Sequence, residues 1–513
     1  MTALARTLMI QGTASHVGKS VLVAAFCRLF AREGVRVAPF KAQNMALNSF
    51  VTSAGGEIGR SQAFQAQAAG IEPTVHMNPI LLKPSSEHDA QVVLLGRPVA
   101  PMDVREYHDY QAHAWQAVTE SLAFLRETHD VVVIEGAGSP AEINLRERDI
   151  VNMRVAALAD APVLLVGDID RGGVFAALVG TMVLLTPEER ARVRGFLINK
   201  FRGDVSLLEP GLESLRLHTG VPTLGVIPYL RDLRIDEEDS LAVEGRRQTA
   251  NPHGGDIDIA VIRLPYISNF TDFDALEQQP GVSVRYISRP GELKQPDLII
   301  LPGTKSTVAD LDWLRRSGLA ERIVSLAGQG TPVIGICGGY QMLGREIADP
   351  LRVESAMTRV QGLGLLDVRT VFAPEKTTVQ VEGEVAADTP LLPGAKRTPV
   401  SGYEIHMGRS EHLGEARPFL RMKRRGTCPV NEPEGAVSAD GSVLGTYLHG
   451  IFDSEAVRRA LLGALGQRRG LEHLSFTPVS YRLAEIDRLA DHVASHVDLP
   501  AIHRLIGYSN WRS

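Results

Sequence analysis

Met9-Ile10-Gln11-Gly12-Thr13-Ala14-Ser15-His16-Val17-Gly18-Lys19-Ser20 reads as an apolar strand that enters a glycine-rich turn and then a helix. This is the pattern of a phosphate cradle. Glycine N–H groups turn inward around an anion, the N-terminus of the following helix adds its positive dipole end, a lysine supplies charge and a hydroxyl serves a metal ion. Gly12, Thr13, Gly18, Lys19 and Ser20 are therefore the expected nucleotide-binding residues, with Ser20 also a ligand for Mg²⁺. The spacing is unusual, because five residues rather than the common four separate Gly12 from Gly18, and Thr13 stands where the first glycine would sit.

Around this stretch the chain has 513 residues, enough for two to four domains at about 150 residues each. With 54 Lys+Arg against 60 Asp+Glu the formal net charge is −6, and no long block of either sign occurs, so nucleic acid is not an expected partner. No apolar run approaches the length of a membrane span, and the first residues form a strand and its loop rather than a leader, so a cytoplasmic protein without membrane contact is expected. Cys27, Cys337 and Cys428 are too few and too dispersed for a disulfide framework or a zinc site, which leaves a cysteine to act alone as a nucleophile.

Residues 20–32 and 35–40 continue the opening as helix and strand, a βαβ start. The amide-rich stretch Lys41-Ala42-Gln43-Asn44-Met45 then falls at a strand end, where open α/β sheets hold ligands. A Gln/Ala-rich helix is expected up to Ala69, another over 111–128, and a buried strand over 130–134. That strand ends in Glu135-Gly136-Ala137-Gly138-Ser139, a carboxylate followed by glycines, which makes Glu135 a candidate Mg²⁺ ligand. The strand 162–167 delivers Asp168-Ile169-Asp170-Arg171, with Asp168 the expected metal ligand and Asp170 its alternative. The strand 195–200 ends near Asn199, placed to read the nucleotide base. Lys41, Arg60 and Lys83 are cations on the expected ligand side and suit an anionic substrate.

The charged, aperiodic stretch 236–256 reads as a linker, after which a second α/β pattern begins with strands at 257–262, 282–287 and 297–301. Gly303-Thr304-Lys305-Ser306 resembles a phosphate loop but lacks the upstream glycine. The strand 331–336 ends on Cys337, and Gly335-Ile336-Cys337-Gly338-Gly339 has the form of a nucleophile elbow, with the sulfur at a helix start and the N–H groups of Gly338 and Gly303 available to an oxyanion. Among 15 histidines, His449, at the end of the strand 443–448 in the same half of the chain, has the right context and is the expected base.

The phosphate loop is similar to that of dethiobiotin synthetase and its relatives, which use ATP to phosphorylate a carboxylate or carbamate. Cys337-Gly338-Gly339-Tyr340-Gln341-Met342-Leu343-Gly344, with His449 further on, resembles the class I glutamine amidotransferases, in which the cysteine attacks the side-chain amide of glutamine. The departure is at Ile451, where that group generally has a glutamate. The implied fold is α/β throughout: a P-loop dethiobiotin-synthetase-like parallel-sheet domain (1–235), the linker (236–256), a class I glutamine amidotransferase-like domain (257–465) and a C-terminal helical extension (466–513).

Residues 39–49 (Pro-Phe-Lys-Ala-Gln-Asn-Met-Ala-Leu-Asn-Ser), together with Gly55-Gly56-Glu57-Ile58-Gly59-Arg60, Met77-Asn78-Pro79, Asp168-Ile169-Asp170-Arg171-Gly172-Gly173 and Gly402-Tyr403-Glu404-Ile405-His406-Met407-Gly408, narrow the resemblance to the cobyric acid synthase family of the cobalamin pathway. It implies ATP- and Mg²⁺-dependent amidation of four peripheral carboxylates of adenosylcobyrinic acid a,c-diamide, with ammonia released from L-glutamine at Cys337. It also implies that Lys41, Gln43, Asn44, Arg60 and Lys83 face the corrinoid, and it requires no obligatory protein partner. The nearest alternatives are a cobyrinic acid a,c-diamide synthase, expected to lack the Gln43-Asn44-Met45 string, and a non-catalytic P-loop ATPase switch with a degenerate second domain.

Overall fold

Alternation along Arg6–Gly12 decides how the first sheet is covered: Leu8 and Ile10 enter one core cluster and Met9 another. A strand that is apolar on both faces needs helices on both sides, the arrangement of a buried parallel sheet. The computed structural model describes residues 4–84, 89–231, 233, 256–471, 476 and 481–508. Apart from Asp256, the expected linker at 236–256 lies outside the described residues. The chain divides into two units: Met1–Met45 with Ile58–Asp236 and Ser480–Ser513, and Ala46–Glu57 with Glu237–Val479.

In the first unit, six parallel strands lie in the order Thr223–Pro228, Val193–Phe201, Val163–Asp168, Arg6–Gly12, Val131–Glu135 and Val37–Phe40. Their C-terminal ends bring Gly12, Glu135, Asp168 and Lys41 to one edge. The helix Lys19–Arg32 starts directly at the phosphate loop and buries Leu22, Phe26 and Phe30 against the sheet. From the far end of the chain, the helix Tyr481–Ala494 adds Ile486, Leu489 and Val493 to the same core. A second sheet, Gln43–Met45, Ile80–Pro84, Asp89–Leu94 and Arg97–Asp103, has no counterpart in the sequence reading, because its short strands carry no sustained alternation. The helix expected over 111–128 begins at Val104, since its first turns, Val104-Arg105-Glu106-Tyr107-His108-Asp109-Tyr110, are too polar to show an apolar stripe.

The second unit also has a central sheet, ordered Val282–Ile287, Ile257–Ile262, Leu298–Leu301, Val333–Ile336, Val443–Thr446 and Ala436–Val437, with only the last strand antiparallel. Beside it lies a mostly antiparallel sheet built on the long hairpin of Val368–Val385 and Pro399–His412. Among the described residues, no helix is long and apolar enough to cross a membrane.

Candidate active site

The cysteine centre stands at the C-terminal edge of the second unit's parallel sheet. Cys337 follows Val333–Ile336 with φ 52° and ψ −111°, a backbone conformation costly for a side-chain-bearing residue, by about 1–3 kcal/mol. The glycines on either side make the turn possible. A Cβ on Gly339 would lie 2.0 Å from the Leu301 carbonyl oxygen, and one on Gly335 would lie 2.7 Å from the Tyr340 nitrogen. The helix that follows runs only from Gly338 to Leu343, so the positive charge available to the sulfur comes from a side chain rather than from a long helix dipole.

That side chain is His449. Its Nδ1–H donates to Asp272 Oδ2 at 2.7 Å, and the other oxygen of Asp272 accepts from Gly450 N–H at 3.1 Å. Burial disfavours the imidazolium, but the Asp272 carboxylate and the neighbouring Cys337 thiol outweigh it and hold the ring's pKa up at about 10. Asp272 thus supplies the ring with a carboxylate partner, while Ile451 is buried in the apolar core. Cys337 Sγ–H donates to the Ile405 carbonyl at 3.3 Å. A Cβ on Gly303 would lie 3.1 Å from His449 Cε1, and one on Gly338, the residue after Cys337, would lie 2.6 Å from Thr304 Cγ2. The Gly402–Gly408 motif acquires a physical reading. Tyr403 pairs with His449 through both backbone groups and stacks on its ring at 5.2 Å, while Ile405 meets the sulfur.

Asp272 was not legible as part of this centre. It sits in the short helical turn Phe270–Phe273 after a strand and a loop, far from either motif in sequence. The signal used for Glu135, a carboxylate at the very end of a parallel strand, was missing, because Asp272 lies ten residues beyond Ile262.

In the first unit, Gly18 has φ 102° and passes so close to Asn199 that a Cβ would lie 2.2 Å from its Nδ2. Asn199 Nδ2–H donates to the Val17 carbonyl at 2.8 Å, so this amide braces the phosphate loop. Lys19 Nζ reaches the carbonyls of Ala14 and Gly138 at 3.0 and 3.1 Å. Ser20 Oγ–H donates to Glu135 Oε1 at 2.7 Å, and Lys41 Nζ stands 3.0 Å from the same oxygen. Gln65 Nε2–H donates to Glu135 Oε2 at 2.6 Å and to the Ser20 carbonyl at 3.2 Å, and Gln62 and Gln65 share one buried face of the helix Arg60–Ala69. Ser20 and Glu135 are thus brought together, whereas Asp168 pairs with Lys200 at 2.8 Å and accepts from Asp170 N–H. A hydroxyl and a carboxylate are hard oxygen donors of the kind Mg²⁺ takes beside phosphate oxygens and water. Asn44 Nδ2–H donates to Gln62, Gln43 accepts from Tyr107, and Arg60 opens the helix Arg60–Ala69 while Lys83 is buried in Ile80–Pro84.

Comparisons with known proteins agree with both halves. Residues 8–242 match the CobQ/CobB/MinD/ParA nucleotide binding domain, and residues 258–457 match the CobB/CobQ-like glutamine amidotransferase domain. A cobyric acid synthase of Sorangium cellulosum is 56% identical over 99% of this chain and 99% of its own. Those of Dehalococcoides mccartyi (52%, covering 99% of each chain) and Yersinia enterocolitica (53%, covering 98% of each) are similar to it over the same span. Full-length identity at this level, together with a nucleotide-binding loop and a Cys–His–Asp centre on one polypeptide, makes the chain a member of the cobyric acid synthase family, the enzymes of glutamine-dependent amidation in cobalamin biosynthesis.

Proposed function

We propose that the two centres divide one ligation between them, and that the buried His449–Asp272 pair at 2.7 Å, beside the strand-end Cys337, carries this reading. The Cys337 thiolate attacks the δ-carbonyl carbon of L-glutamine, and the carbonyl oxygen becomes an oxyanion facing the Gly303 and Gly338 backbone. The imidazolium of His449 gives its proton to the departing nitrogen, ammonia leaves, and water then cleaves the thioester to glutamate. Asp272 keeps the proton on the correct ring nitrogen throughout.

In the other unit, the phosphate loop holds ATP, with Lys19 directed at its phosphates. The γ-phosphoryl group passes to a peripheral carboxylate of adenosylcobyrinic acid a,c-diamide, ammonia displaces phosphate from the acyl phosphate, and an amide results. Four carboxylates are converted in succession. Ser20 and Glu135 would hold Mg²⁺, which supplies charge compensation for the phosphates when bound. Lys41, Gln43, Asn44, Arg60 and Lys83 are assigned to the corrinoid, and the reaction is assigned to the cytoplasm.

The test is mass spectrometry of the a,c-diamide after incubation with protein, ATP, Mg²⁺ and either glutamine or ammonium. Wild-type protein should make four acid-to-amide conversions with both nitrogen sources, and Cys337→Ala should make them with ammonium only. Unchanged substrate with both sources and active controls would refute the ligase assignment. Full activity of the variant with glutamine would refute the role of Cys337.

A further inference from the structure

The short segment Ala46–Glu57 belongs to the second unit, although the chain on both sides of it belongs to the first. It follows Gln43 and Asn44 directly, and its first polar residues reach the supports of His449. Asn48 is 1% exposed, and its Oδ1 accepts from Phe270 N–H at 3.2 Å. Ser49 N–H donates to Asn269 Oδ1 at 2.9 Å, and the Ser49 carbonyl accepts from the Tyr403 hydroxyl at 3.3 Å. The segment is anchored further along by Gln380 Nε2–H on the Val51 carbonyl and by the buried pair Lys376–Glu57 at 2.6 Å.

Both structures held by these contacts bear on the imidazole. The turn Asn269–Asp272 carries the carboxylate on Nδ1 and places Asn269 Nδ2 3.4 Å from Nε2. Asn269 adopts φ 53°, a left-handed conformation that asparagine tolerates, with its side-chain oxygen fixed by Ser49 N–H. Tyr403 supplies the ring stacked on the imidazole. Asn48 has a further feature: its Nδ2 is buried without a hydrogen-bond partner, so the amide is held through its oxygen alone.

We propose that Asn48 and Ser49 are positioning residues for His449, acting through the Asn269–Asp272 turn and through Tyr403. The glutaminase base is thereby oriented by a segment that follows the strand Gln43–Met45 in sequence. The inference rests on the reading of Cys337 and His449 as the glutaminase pair.

The experiment uses the full-length protein and compares glutamine-driven with ammonium-driven amidation, and the pH dependence of glutamine turnover, in Asn48→Leu, Tyr403→Phe and Cys337→Ala. Displacing a proton-transfer group without removing it lowers rate rather than binding, so Asn48→Leu should reduce the kcat for glutamine about 10- to 100-fold while leaving the KM and the ammonium reaction within about twofold. Its alkaline limb should move to lower pH, because a misaligned Asp272 stabilises the imidazolium less. Tyr403→Phe keeps the stacked ring and should show a smaller loss of the same kind. Wild-type turnover and pH limb in Asn48→Leu would overturn the proposal. If Asn48→Leu does not fold, an unchanged pH limb in Tyr403→Phe overturns it. Glutamine-driven activity surviving in Cys337→Ala would instead show that the underlying glutaminase reading had failed.

Discussion

The two centres occupy the same kind of place, the C-terminal edge of a parallel sheet, yet their polar groups are engaged in opposite ways. At the cysteine centre the groups are already fixed: the imidazole is paired with the Asp272 carboxylate, that carboxylate also accepts from Gly450 N–H, and the turn that carries the sulfur is built on glycines no larger residue could replace. At the phosphate centre the functional groups are held by other protein groups. Lys19 lies on two neutral carbonyls, and Glu135 is shared by Ser20, Lys41 and Gln65. A nucleophile needs its base aligned before glutamine arrives, because misalignment by an ångström is expensive in rate. A phosphate site can delay its final arrangement, because the charge of the ligand outcompetes neutral acceptors.

The largest effect expected from this contrast is at Asp272. Replacing it by Asn keeps the shape but removes the charge that orients and stabilises the imidazolium, so glutamine-driven kcat should fall by about 10³- to 10⁴-fold while ammonium-driven amidation persists. The pH dependence has a definite sign. In the wild type the imidazolium survives from the ordinary value of 6.5 up to about 10, so the alkaline limb of glutamine turnover lies high, and in Asp272→Asn it should move down. The stability contributed by the pair is full below about 6.5 and is lost as pH rises through about 10, so the alkaline decline in denaturation midpoint should be shallower in the variant. A pH-independent loss would break the comparison, because it would mean that the carboxylate only fills space.

Lys19→Ala should have the converse pattern. Removing one preorganised charge at the phosphates should reduce amidation about 10²- to 10³-fold with either nitrogen source, while alkylation of Cys337 by iodoacetamide proceeds as in the wild type. Gln65→Leu sharpens the same side of the comparison. Gln65 touches Glu135 and the Ser20 carbonyl without being placed on substrate, so its loss should raise the Mg²⁺ concentration needed for half-maximal activity by about 10-fold and leave glutamine hydrolysis unchanged.

What could be read from the sequence follows from the same physics. The phosphate loop and the elbow were legible because each packs its chemistry into a few consecutive residues whose glycines are demanded by close approach: Gly18 against Asn199, Gly339 against Leu301. Strands with unbroken apolar runs, such as Val131–Glu135 and Val163–Asp168, were equally plain. Asp272 and Gln65 were not, since each meets its partner only after folding: Asp272 reaches His449 across 177 positions and Gln65 reaches Glu135 across 70. The membership of Ala46–Glu57 in the second unit was hidden for the same reason, because nothing local in Asn48-Ser49 names Phe270 or Tyr403 as its partner.

The smallest expected effects lie at the C-terminal helix Tyr481–Ala494, where two kinds of contact with the phosphate-loop helix can be separated. Leu489 is 2% exposed in the core shared with Leu22 and Phe26, and Leu489→Ala should cost about 2–5 kcal/mol of stability by leaving a cavity. Asp487 receives two hydrogen bonds from Arg28, at 2.7 and 3.0 Å, but its side chain is 38% exposed. A pair so open to water and salt contributes little, and Asp487→Ala should cost only about 0.2–1 kcal/mol in chemical denaturation, with less difference from the wild type as salt is raised. Neither activity should change in Asp487→Ala. A loss from Asp487→Ala as large as that from Leu489→Ala would mean that the ion pair, and not the apolar face, fixes this helix against the one that carries Lys19 and Ser20.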